Sequence, residues 1–178
     1  MAIFEESERG RYIILGTIDG ILAVLGIIIG LSSASVGPGV IIKAALGGGI
    51  ALCLTNSIGS YLAESAVEYG KLSEVEQALL QNLKHTRIEK ITKRNILIDS
   101  LLSGGSSFIG SLIPILPFVL APGEIAEYIS ITLALAALVI LGLFSGKISS
   151  QSYIKSVVRM VGLGIIVIVV CSALRLSP

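Results

Sequence analysis

The chain has 178 residues, 53% of them hydrophobic and only 14% charged, with a mean hydropathy of +0.92. Water-soluble domains carry about a quarter charged residues, so this composition excludes one and indicates an all-α integral membrane protein in a lipid bilayer. The formal net charge of +1 gives no reason to expect a nucleic-acid partner.

Five transmembrane helices are expected, in one transmembrane domain over residues 1–178. The first covers about 12–33, "YIILGTIDGILAVLGIIIGLSS", and "SVGPG" breaks it. It exceeds the ~7–15 apolar residues of a signal-peptide core and holds Asp19, so it reads as a retained span. The second covers about 40–65. A charged linker, 66–95, follows. There Leu72, Val75, Leu79 and Leu83 recur at helical spacing, which predicts a short amphipathic cytoplasmic helix between spans 2 and 3. Ser73 and Glu76 read as the capping box that opens this helix. Gly70 is expected to separate it from span 2, and its apolar stripe must bury against the bundle or a partner. Span 3 covers about 96–120 and carries Pro114 and Pro117, expected to kink it. Spans 4 and 5 cover about 125–146 and 154–174. Each is near the ~20 residues a bilayer requires. With the N-terminus inside, eleven of the 13 basic residues fall on the inner side and only Lys43 and Arg175 on the outer. That bias predicts an N-in, C-out topology.

Small residues recur at four-residue steps: Gly16 and Gly20, Gly26 and Gly30, then Ser103, Ser107 and Ser111. Such faces let backbones approach closely. The glycine steps mark span 1 as a helix that meets another along the face near Asp19, and as a candidate seam between two first helices.

Asp19 carries the strongest functional signal. At ~1.5 Å rise per residue it lies roughly 10 Å beyond Tyr12, where a charge costs on the order of 3 kcal/mol or more. Nothing basic in the span pairs with it. It reads as a cation or proton site facing a bundle interior or a dimer seam. The alternative is a protonated or serine-bonded carboxyl that only packs. Glu64 and Glu68 share a helix face at the inner end of span 2, and a divalent cation or a basic side chain would relieve their repulsion. Asn56 and Ser60 continue that face. Together they form a row of oxygen donors suited to a hard or borderline divalent metal, or ordinary polar contacts between helices. Glu74 and Glu76 read as helix-dipole partners, Asp99 as pairing with the nearby Lys93 and Arg94 or capping the start of span 3, and His85 as a solvated linker residue.

No enzyme is indicated. HExxH, GxSxG and phosphate-loop patterns are absent, and so is a GxGD-type aspartyl pattern around Asp19 or Asp99. Cys53 and Cys171 form no CxxC pair, so no cofactor is expected.

Three stretches together resemble the vacuolar iron transporter family, the iron and manganese carriers of vacuoles and their prokaryotic relatives. "GTIDGILAVLGIIIG" is similar to the first-helix Asp-Gly signature. "NSIGSYLAES" is similar to the second-helix motif, and "SGGSSFIGSLIPILPF" to the third. The resemblance departs at two points. The family's Met and Glu of the second helix fall on Asn56 and Ser60, with Glu64 the nearest carboxylate. The linker is also too short for the family's three-helix metal-binding domain. The resemblance implies a homodimer whose first helices line a shared pathway, with Fe(II) or Mn(II) as the transported substrate, exported from the cytoplasm by proton antiport. Asp19 would be the central ligand, Glu64 and Glu68 the cytoplasmic mouth, and Asn56 and Ser60 the neutral oxygens. The rival readings are a five-span transporter of another cation and a non-transporting membrane scaffold.

Overall fold

The structure is a computed structural model that describes residues 2–32, 34, 36–80, 83, 86–120, 124–148 and 152–175. His85 lies outside the described residues. Five helices follow in order: α1 (Ala2–Ser32), α2 (Pro38–Leu79), α3 (Arg87–Leu120), α4 (Glu124–Ile148) and α5 (Tyr153–Arg175). All five are long and apolar enough to cross a membrane.

Helix α2 starts where proline is pre-organised for it. Gly37 is extended (φ −65, ψ 151), and Pro38 occupies the first turn, where its missing N–H costs nothing. The helix then runs unbroken for 42 residues. This corrects the expected separate linker helix. Gly70 lies inside α2, because one glycine costs a helix only about 1 kcal/mol relative to alanine and no proline follows to stop it. Ser73 therefore caps nothing. Glu76 accepts instead from the Leu83 N–H, at 2.7 Å. The helix ends at Leu80, which takes the left-handed conformation (φ 50). The cap that operates is Thr86, whose hydroxyl accepts from the Glu89 N–H at the start of α3. Of the amphipathic stripe, Leu83 is buried, whereas Val75 and Leu79 stay 44% and 56% exposed.

With nothing near a Cβ at Gly70, Gly70→Ala is expected to raise stability by about 0.5–1 kcal/mol. Thermal unfolding in detergent checks this, and a loss of stability would show that α2 needs to bend there.

Helix α1 touches every other helix, whereas α2 touches only α1 and α3. Two apolar clusters meet on α1. Val24 and Ile28 pack with Ile41 and Ala45 of α2, Ile115 and Phe118 of α3, and Ala126 of α4. Ile21, Leu25 and Ile29 pack with Ala134 and Leu138 of α4, supported by Met160 and Ile168 of α5.

Helix α3 lies tight between α1 and α2, and small residues make this possible. Gly16 lies against Ser103 and Ser106, Gly20 against the Ser107 backbone, Gly110 against the Thr17 backbone, and Gly104 against Cys53 and Ser57. The Gly16/Gly20 step is thus filled by α3 of the same chain, which corrects its assignment as a seam between first helices. Gly26 faces Cys171 of α5, and a Cβ at Gly30 would meet nothing. The α3 serines return their hydroxyls to their own helix: Ser107 to the Ser103 carbonyl at 2.9 Å and Ser111 to the Phe108 carbonyl at 2.6 Å. They are buried polar groups with partners already in place. The helix continues through Pro114 and Pro117 to Leu120, and Ser130 of α4 donates to the Pro114 carbonyl at 2.7 Å.

Candidate functional site

The buried face of α1 includes Gly16 and Gly20, turned toward α3. Asp19 lies about 100° round the helix from Gly20. It is exposed, in a column with Arg11, Leu15 and Ala23. Its carboxylate reaches toward α2, where Asn56 Nδ2 donates to Asp19 Oδ2 at 3.3 Å. The same amide donates to Ser107 Oγ of α3 at 2.7 Å. One turn further along, Ser60 Oγ donates to Ser103 Oγ at 2.9 Å. Asp19, Asn56, Ser60, Ser103 and Ser107 thereby form one polar seam across α1, α2 and α3.

The amide of Asn56 is chemically two-sided. Its Nδ2 face serves an ionised carboxylate as a donor. A half-turn about its last torsion would place Oδ1 beside Asp19, a neutral oxygen of the type divalent cations accept.

The two α2–α3 hydrogen bonds step together by four residues. Carried one turn further, this register brings Glu64 level with Asp99. A second turn brings Glu68 level with Asn95. At ~6 Å per four residues, Glu64 stands roughly 12 Å along the axis from Asn56. The five sequence-identified residues therefore form a file leading away from Asp19, not one ligand shell. Among the described residues no three of His, Cys, Asp and Glu gather closely enough to hold a metal ion. Glu64 is half-buried, and Glu68 is paired with Lys71 at 2.6 Å.

Asp99 finds a cation on another helix. Lys93 is taken by Glu89, at 2.8 Å on the same helix. Asp99 Oδ1 lies 3.6 Å from Arg9 Nε of α1 instead, and Arg9 Nη2 donates to Asn95 Oδ1 at 3.4 Å. Residues five or six apart do not share a helix face, so spacing already argued against Lys93 and Arg94. The roles of Ser103 and Ser107 as seam partners escaped the sequence, where they read only as a small-residue step.

The family model described as the VIT family matches residues 70–174, more than half the chain. That match begins inside α2 and leaves Asp19, Asn56, Ser60, Glu64 and Glu68 before it. An uncharacterized protein of Methanocaldococcus jannaschii is 42% identical over 164 residues, covering 90% of this chain and 85% of that one. Five bilayer-length helices and a family match across three of them make this an integral, multi-pass membrane protein. The chain belongs to the VIT family, whose members are membrane transporters of metal ions or other cations.

Proposed function

We propose that the protein carries a divalent metal, Fe(II) or Mn(II), out of the cytoplasm in exchange for protons, as a homodimer with its N-terminus inside. One observation carries this reading. Asp19, near the middle of the first span, is exposed on the protomer yet held by Asn56 at 3.3 Å. A carboxylate facing lipid there would be costly. A second copy placed against the Arg11–Ala23 column would cover it and set two Asp19 residues across a shared polar path. The glycines at 16 and 20 do not form that seam, since α3 fills them, so the contact falls on the neighbouring face.

Coupling follows from competition. Metal binds the ionised carboxylate, and a proton excludes it. The file of Ser60, Glu64 and Glu68 connects Asp19 to the end of the bundle where α2 descends and α3 begins, the inner end under the charge bias. Oxygen ligands throughout favour Mn(II) and Fe(II) over softer ions.

Uptake of Mn(II) or Fe(II) into proteoliposomes tests the reading. Uptake is expected to require an opposing proton gradient and to fall as the pH on the metal side drops. Uptake indifferent to both would leave a carrier of another kind, and none at all would favour the scaffold.

A further inference from the structure

We infer that Arg9 is a tethered counter-ion that occupies the inner mouth of this pathway when no metal is present and must leave for metal to enter. The inference rests on the transport reading above and assigns the mouth a specificity-setting residue.

The geometry is that of a plug made from the chain itself. Helices α1 and α3 run parallel, so the start of one lies beside the start of the other. Arg9 reaches from α1 to Asp99 Oδ1 at 3.6 Å and to Asn95 Oδ1 at 3.4 Å. These two α3 residues are the ones brought level with Glu64 and Glu68 by the α2–α3 register. The guanidinium thus spans the Glu68 and Glu64 levels, the first two carboxylate levels a cation would reach on its way to Ser60, Asn56 and Asp19. The hydroxyl of Ser65, next to Glu64, is buried without a hydrogen-bond partner. It is an oxygen left over at the same level.

The chemistry suits displacement. The Asp99 side chain is only 17% exposed, whereas that of Arg9 is 38% exposed and has solvent to retreat into. The 3.6 Å approach is longer than a charge-assisted hydrogen bond of about 2.7–2.9 Å, so the pair is held by charge more than by a fixed fork. A divalent cation carries twice the charge of a guanidinium and takes carboxylate and hydroxyl oxygens as ligands. Arg9 therefore competes with weakly charged ions and yields to a divalent one. It lowers metal affinity at the mouth while keeping Asp99 and its neighbours neutralised when the path is empty.

The test uses the full chain, with Mn(II) as the probe, measuring equilibrium binding in detergent and uptake into proteoliposomes. Removing a unit charge from within several ångströms of a partly buried site is expected to change affinity about tenfold. Arg9→Gln should lower the Kd and the KM for Mn(II) by that factor, with kcat equal or reduced. Arg9→Lys should stay within about twofold of wild type, because it keeps the charge. Asp99→Asn should raise KM about tenfold, and it provides the reading should Arg9→Gln fail to fold. If the wild-type protein takes up Mn(II) and neither Arg9→Gln nor Asp99→Asn alters KM, Arg9 is a structural tie between α1 and α3 and the inference falls. If the wild-type protein neither binds nor moves Mn(II), the transport reading falls and takes this one with it.

Discussion

Asp19→Asn is expected to abolish metal uptake while leaving the protein folded. The substitution keeps the shape of the side chain, and its amide oxygen still accepts from Asn56 Nδ2, now 3.3 Å away. It removes the charge that the proposed metal would need and that a proton can cancel. Removing a group that merely orients a ligand costs roughly 10–100-fold in affinity or activity, so loss of the ligand itself should exceed that. Thermal stability should be unchanged or raised, because a charge within the span has gone. Proteoliposome uptake with a melting curve on the same preparation decides the matter. Wild-type uptake by Asp19→Asn, with its pH dependence intact, would reduce Asp19 to a packing contact.

Gly20→Leu is expected to prevent the helix bundle from packing. A Cβ at Gly20 would overlap the Ser107 carbonyl group and the Ser111 amide, and both are backbone. Overpacking usually costs about 1–3 kcal/mol because side chains give way. Here only a separation of α1 from α3 makes room, and that would also open the Gly16 and Gly110 contacts. The loss should reach or exceed the top of that range. Gly30→Leu is the control, since a Cβ there meets nothing, and it should stay within about 0.5 kcal/mol. Size-exclusion profiles and melting temperatures in detergent separate the two. Equal behaviour would mean that α1 and α3 do not pack through Gly20.

The five helices were legible because lipid imposes one demanding rule, about 20 apolar residues with an internally satisfied backbone. The file of Asn56, Ser60, Glu64 and Glu68 was legible for a similar reason, since four-residue spacing on one helix fixes a shared face. What failed was whatever depended on a partner. A Ser-x-x-Glu pattern at 73–76 and a Thr-x-x-Glu pattern at 86–89 look alike in sequence, yet a cap forms only where the chain turns, and it turns after Leu79. The glycine step at 16 and 20 announces a close helix neighbour without naming it, and α3 of the same chain fills it. Asp99 has two basic residues close in sequence, yet Arg9, ninety positions away, lies beside it.

The unbroken course of α2 has a mechanical consequence. From Asn56 to Leu79 the helix extends roughly 35 Å without a joint. Among the helices it contacts α1 and α3, and the Leu83 N–H bonds to its Glu76. A rigid rod so mounted is a lever with its fulcrum in the membrane. A tilt of about 5° at the level of Asn56 swings the tip by roughly 3 Å, and a push of that size on the tip turns the amide that holds Asp19. Whatever grips the end of α2 from outside the bilayer thereby has a hand on the seam within it.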